Sequence, residues 1–418
     1  MGISKRENME NVLPTYSRPF KTIEEPSISV DFWDEAKEAH ENKEYRKSLI
    51  AVINYLNIDI LKEVNLEKDI SFTQMHGPIE ITITITDKIF RVDVPFLKMV
   101  EKTNVIALLR KVAEVNFSRF DLSQIGLDGD DLTIHYEIPL ALCHPYKIYT
   151  LLREVCFRAD EFDDEFIENY HAEFLKELNY KSLTEKEQEK AWLDIDHILD
   201  EYERYSSYFK EKQKDGYQWD IEVLSLLKIA NMPYVNGVLR YELMEYVDLL
   251  FNGDKEFNYR VEKGKNYLKK LAKKSKEEIL KNLYHREQFI SMLWRSSPDI
   301  IAEKLESYHE TVERYEKNDN GFALAYYLQG VLLKLIYNYN LDESYKNLIE
   351  TVLEETSGLK PEDAVSKLLE VYYLMYHKNV EASIAVKDEK ESIWSNISTY
   401  LYLFFFIALA GRLLRGES

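Results

Sequence analysis

Residues 79–86 read Ile79-Glu-Ile-Thr-Ile-Thr-Ile-Thr86. Every second side chain is isoleucine, and the intervening ones are Glu or Thr. Side chains alternate between the two faces of a strand, so this pattern puts four Ile on one face and a polar set on the other. Helical spacing would scatter the same Ile around a cylinder. The stretch is therefore a half-buried β-strand. Asp87-Lys88 can turn the chain, and Ile89, Arg91, Asp93 and Pro95 then alternate with Phe90, Val92, Val94 and Phe96. That is the second arm of a hairpin.

Working outward, the period changes. On the N-terminal side, Phe32, Trp33, Ala36 and Ala39, then Tyr45, Leu49, Val52, Ile53 and Leu56, follow helical spacing about a turn near Asn42. The run at 36–57 resembles half of a tetratricopeptide hairpin, and a similar phrase recurs at 311–338. A repeat array needs at least three stacked units, so both are read as ordinary helical hairpins. On the C-terminal side, Asn104 can cap a helix running to about Phe117, with Val105, Leu108, Leu109, Val112 and Val115 as its stripe. A second hairpin is expected from Leu122–Leu127 and Leu132–Ile138 around Asp128-Gly129-Asp130-Asp131. Pro145 then opens an apolar helix through Ile148, Leu151, Leu152, Val155, Cys156 and Phe157. The order is helix, two strands, helix, two strands, helix.

Beyond 165 the pattern reads as helices alone, at roughly 166–179, 184–213, 217–230, 237–252, 255–273, 275–294, 298–317, 320–338, 341–356 and 361–378. The expected organisation is a polar tail (1–27), an N-terminal helical hairpin (28–63), an α+β domain (64–165), an all-helical domain (166–385), and a linker with an apolar C-terminal helix (386–418). The fold class is α+β with an antiparallel sheet and a large all-α domain.

The 418 residues carry 54 Lys+Arg against 74 Asp+Glu, a formal charge of −20. Such a surface repels phosphate backbones, which argues against nucleic acid as a partner. Two cysteines cannot make a disulfide framework, and a reducing, cytoplasmic location fits. The N-terminus has no apolar core of a signal peptide. Ser392–Gly411 is 20 residues without a formal charge, but only Tyr400–Ala410, 11 residues, is strongly apolar. A span needs about 20 apolar residues. The segment reads first as a buried helix and alternatively as a tail anchor that would associate the chain with a membrane.

No G-x-x-x-x-G-K-[ST], G-x-G-x-x-G or G-x-S-x-G occurs, so phosphate-cradling loops and nucleophile elbows are not expected. No catalytic, cofactor-binding or metal residue is assigned, no cofactor is expected, and partner-binding residues are left open. His135, Cys143, His144 and Cys156 lack the paired spacing of a zinc site. Asp128–Asp131 reads as a turn rather than a Ca²⁺ loop. The acidic cluster 160–165, with His171 nearby, reads as solvated. So does the basic run Lys263, Lys265, Lys269, Lys270, Lys273, Lys274 and Lys276, although it could dock on phosphate or an anionic membrane. The tyrosines (Tyr326-Tyr327, Tyr337, Tyr339, Tyr372-Tyr373, Tyr376) read as core and groove lining.

The α+β stretch resembles a YbjN-type domain, a superfamily that shares its fold with type III secretion chaperones. The resemblance rests on the strand pair ending in Val94-Pro95-Phe96, the helix leading into Asn116-Phe117, the hairpin ending in Tyr136-Glu137-Ile138-Pro139 and the closing helix. It covers about 95 of 418 residues, and the whole chain resembles uncharacterised bacterial proteins that fuse such a module to a helical region. The resemblance implies a non-enzymatic, chaperone-like or adaptor role, with a protein partner of open identity held by the sheet and a helical groove, and homodimerisation. It carries no catalytic residues. The alternatives are a membrane-tethered scaffold or stress-response component held by 392–411, and an enzyme with an unrecognised site in the helical domain.

Overall fold

The computed structural model describes residues 12–21, 31–62, 64–176 and 181–380. The expected linker and apolar helix at 386–418, including Ser392–Gly411, lie outside the described residues. Among the described residues no helix is long and apolar enough to cross a membrane. The chain is mixed α+β and divides into two compact units, one built on Tyr16–Arg295 with Ile336–Asn340, the other on Ser296–Leu335 with 341–380 and 12–15.

The first unit opens with helices α1 (Asp31–Glu41) and α2 (Tyr45–Leu56). Strands β1 (Ile70–His76), β2 (Ile79–Ile85) and β3 (Ile89–Lys98) follow, then helix α3 (Val105–Ser118), strands β4 (Ile125–Asp128) and β5 (Asp131–Pro139), and the long helix α4 (Pro145–Tyr170). The sheet order is β1-β2-β3-β5-β4, all antiparallel, with β6 (Glu173–Phe174) added beside the end of β3. Strand β1 alternates only over Ile70-Ser-Phe-Thr73, too short a pattern to be expected as a strand. Its register against β2, Phe72 opposite Ile83, is what orders it.

Ile79, Ile81, Ile83 and Ile85 are buried, as the alternation requires. With Phe90, Val92 and Val94 of β3 and Leu132 and Ile134 of β5 they form the inner face. Helix α4 covers it with Ile148, Leu151, Leu152, Val155, Cys156 and Ala159. The same core takes in Trp33 and Ala36 of α1, Leu49, Val52 and Ile53 of α2, and Phe289 and Ile290 far along the chain. The N-terminal hairpin is thus a layer of the sheet's core. The position 165/166 lies inside α4, which continues to Tyr170. It ends there because His171 adopts φ 59°, a left-handed cap.

The rest of the unit comprises α5 (Glu185–Glu211), α6 (Gln218–Ala230), α7 (Gly237–Phe251), α8 (Phe257–Leu271) and the short α9 (Lys276–Leu280). Thr184 and Glu187 close a capping box on α5, and Ser275 and Glu278 do the same for α9. The expected helix at 275–294 is corrected. It stops at Leu280, and Tyr284–His285 (β8) pairs with Lys181–Ser182 (β7). Trp294–Arg295 (β9) pairs in parallel with Tyr339–Asn340 (β10). Among the described residues, an all-helical reading of 166–385 therefore fails at five two-residue strands, which are too short to show a period in sequence.

The expected polar tail also carries core residues. Leu13 is buried, its amide donating to Leu359 O at 2.7 Å within the second unit. Phe20 stacks on Tyr234 at 4.2 Å within the first.

The second unit holds α10 (Pro298–Lys317), most of α11 (Gly321–Asn338), α12 (Glu343–Thr356) and α13 (Pro361–Tyr376). Ser297 caps α10 with Pro298 in its first turn. Ile301, Leu305, Leu328, Leu332, Ile349, Leu353, Leu368 and Tyr372 are buried here, and Tyr372 donates its hydroxyl to Leu305 O at 3.0 Å.

Candidate functional site

Two polar constellations stand out, both in the first unit. The first is the outer face of the sheet, which the strand alternation builds opposite the Ile face. The register aligns Ser71, Thr84, Arg91 and Glu137 in one row, and Thr73, Thr82, Asp93 and His135 in the next. Hydroxyls meet across the first pair of strands, Ser71 with Thr84 at 3.3 Å and Thr73 with Thr82 at 3.1 Å. Charges follow on β3 and β5: along β3, Arg91 Nε lies 2.9 Å from Asp93 Oδ2, and across to β5, His135 Nδ1 lies 2.7 Å from Asp93 Oδ1. Helix α4, which packs on β2 and β3, covers the other face, and His135 keeps more than half of its side chain exposed.

The edges of this sheet differ. On β4, the Asn116 side chain bonds both backbone groups of Ile125, donating to its O at 2.9 Å and accepting from its N at 2.8 Å. An amide that pairs with an edge strand in this way blocks further pairing. Strand β1 is the other edge of the sheet.

The second constellation is buried. His76 at the end of β1, Asp160 and Asp163 on α4, and Arg286 in the segment after β8 are each 4% exposed or less. Arg286 Nη2 lies 3.0 Å from Asp160 Oδ2 and 2.8 Å from His76 Nε2. A guanidinium only donates, so His76 Nε2 accepts and the ring proton sits on Nδ1. Burial first, then the nearby Arg286 and Arg240, hold His76 well below the usual histidine range. Tyr241 of α7 donates to Asp160 Oδ2 at 2.5 Å. Asp163 Oδ1 accepts from the Asp164 amide at 2.6 Å, whereas Oδ2 has no hydrogen-bond partner among the described residues. Burial, reinforced by Asp164 and Asp160, raises the Asp163 carboxyl well above its usual range. Burial and Asp160 push Asp164 up to about 6. Gly77, at φ 59°, makes the close approach possible, because a Cβ there would collide with Asp160 Oδ1.

The expectation that cluster 160–165 is solvated is corrected at Asp160 and Asp163. The signal was available in part: Asp160 and Asp163 share the face of Cys156, Ala159 and Phe166 at helical spacing. Their partners lie far away in sequence, Arg286 most of all. His171 caps α4 away from the cluster, its carbonyl accepting from Thr103 Oγ1 at 2.9 Å.

The remaining candidates disperse. His135 is on the outer sheet face. Cys143 and Cys156 are buried, the former pushed up to about 12 by burial. His144 stacks on Tyr146 at 5.7 Å. Asp128–Asp131 is the β4–β5 turn, with Gly129 at φ 62°. In the basic run, Lys270 and Lys274 pair with Glu242, Lys276 with Glu189 and Lys265 with Glu262, so four of the seven lysines share three carboxylates. Tyr326 and Tyr372 are buried. Tyr373 and Tyr376 donate to Glu316 and Glu306. Among the described residues no three of His, Cys, Asp and Glu are arranged to hold a metal. Compared with protein-family models and with curated proteins, the chain matches none.

Proposed function

We propose that this chain is a protein-binding module, chaperone-like or adaptor, whose docking surface is the outer face of the five-strand sheet. The observation that supports this reading is that face itself. It presents two ordered rows of hydroxyl and charged groups, Ser71-Thr84-Arg91-Glu137 and Thr73-Thr82-Asp93-His135, half-exposed and ordered by hydroxyl contacts and ion pairs. Preordered polar groups on a rigid sheet lose little entropy when a partner binds. The resemblance of this stretch to a YbjN-type domain implies the same kind of role, since domains of that fold hold extended segments of other proteins. On this reading the partner bonds the hydroxyl and ion rows, and a segment added at the β1 edge would extend the sheet.

The test is capture of partners from the native cell by the tagged full chain, compared with a Thr82→Lys/Thr84→Lys variant. Both positions point away from the core, so the variant keeps its circular dichroism spectrum and loses the stoichiometric partner. A folded variant that retains the partner places docking elsewhere.

A further inference from the structure

Asp160 and Asp163 sit one turn apart on α4, both buried, where the β1–β2 turn, α4, α7 and the segment 282–287 meet. Four chain-distant pieces of the first unit are joined there. His76 and Gly77 come from the turn, and the Gly77 amide donates to Glu287 O at 2.9 Å. Tyr241 comes from α7. Asn282 follows α9, with its Oδ1 accepting from the Leu239 amide at 3.1 Å. Arg286 closes the ring of contacts.

The charges in this seam do not balance if every carboxyl is ionised. Arg286 is engaged by Asp160 and by the His76 ring. Arg240 of α7 is the next cation, felt by His76. Facing Asp163 are Asp160 and Asp164 on its own helix, Arg286 and Tyr284 on the 282–287 segment, and Tyr241 on α7. Asp163 Oδ2 makes no hydrogen bond among the described residues. An ionised carboxylate in that position would be buried beside two further aspartates with only Arg286, already engaged by Asp160, to offset it, a cost that proteins avoid by keeping the group neutral.

We propose that Asp163 is a proton-holding latch: its neutral carboxyl allows the β1–β2 turn, α4, α7 and the 282–287 segment to close on one another, and loss of its proton to solvent loosens that seam. The step is a simple ionisation, carboxylic acid to carboxylate plus a proton, and requires no other reactant. The folded form holds the proton more tightly than the unfolded chain. The stabilisation is therefore complete at pH below the ordinary carboxyl range and is lost as pH rises through the raised value. Asp164 titrates in the same sense at about 6, and His76 in the opposite sense, so the Asp163 contribution is read as a difference between proteins.

The experiment uses the full chain and its Asp163→Asn variant. Infrared difference spectra at neutral pH report the carbonyl stretch of a protonated carboxylic acid. A band present in the parent and missing from the variant is expected, and identical spectra overturn the proposal. Unfolding of the two proteins is then followed across pH. The ratio of their unfolding constants should shift at least tenfold toward a more stable variant as pH rises, and a ratio independent of pH also overturns it. Should Asp163→Asn not fold, the parent is replaced by an Asp220→Asn/Glu222→Gln double variant, which removes the carboxyls raised to about 7 and about 8. A carboxylic-acid band that persists there above pH about 8 supports the latch, and its absence refutes it.

Discussion

Two groups of Asp, His and Arg lie in the first unit, one on the outer face of the sheet and one beneath the β1–β2 turn. Outside, Asp93 contacts Arg91 and His135 at 2.9 and 2.7 Å, with all three side chains about 40% exposed or more. Inside, Asp160, His76 and Arg286 are spaced just as closely, at 2.8–3.0 Å, and are nearly sealed from water. The residue types and distances match, and the surroundings do not. Water screens the outer group and hydrates whatever the contacts leave over, so any one contact there is replaceable. The inner group has only protein atoms to meet its lone pairs and charges, and His76 Nδ1 finds no hydrogen-bond partner among the described residues. The same side chains therefore serve as an adjustable surface in one place and as a structural constraint in the other.

The contrast is sharpest at Arg286. Its replacement by Ala leaves Asp160 buried without its guanidinium, and about 3–5 kcal/mol of stability should be lost in urea unfolding. A loss below 1 kcal/mol would mean that water reaches the inner group and would erase the distinction. The next largest effect concerns burial without an arginine. Glu222 on α6 is fully buried, its Oε2 has no hydrogen-bond partner among the described residues, and burial pushes its carboxyl up to about 8. Its proton stabilises the folded form fully at acid pH, and that contribution falls as pH rises from about 4 to about 8. Glu222→Gln should therefore unfold less readily than the parent at pH about 8 and nearly equally at pH about 4.

On the two faces of β2, Ile83→Ala should cost about 2–5 kcal/mol, because it empties a buried site. Thr82→Ala, one residue away on the outer face, should cost under about 1 kcal/mol. Both are read from the same urea titration, and comparable losses would show that the outer face is covered. Gly77→Ala should cost at least about 1–3 kcal/mol from its backbone conformation alone, before its collision with Asp160. The smallest effect belongs to the outer ion group. His135→Ala should change stability by under about 1 kcal/mol, and its consequence should appear in partner capture instead.

Much of this division is legible along the chain. The Ile-Thr alternation at 79–86 separates the two faces of β2, and the polar set it assigns outward is the set found there. Asn104 caps its helix as its residue type requires, and the helices at 185–211, 218–230, 298–317 and 361–376 follow their apolar period. The inner group was not legible in this way. Asp160-Glu-Phe-Asp-Asp-Glu165 looks like a solvated helix segment, because charge density in sequence says nothing about which turn faces inward until the covering elements are known. Arg286 comes 126 positions after Asp160 and sits in a stretch whose period suggested a continuing helix. The two-residue strands at 284–285 and 294–295 carry no period, and pairing alone defines them.

By itself, then, the sequence determined the strands and helices whose pattern repeats over several residues, along with the polar outer face of the sheet, because periodicity is a local property of side-chain direction. Only the tertiary structure decided that β1 joins the sheet, that α1 and α2 are part of its core, and that an aspartate pair, a histidine and an arginine from distant segments share one dry seam. Those outcomes depend on which surfaces exclude water from one another, and water exclusion is a property of the assembled layers that no single segment carries.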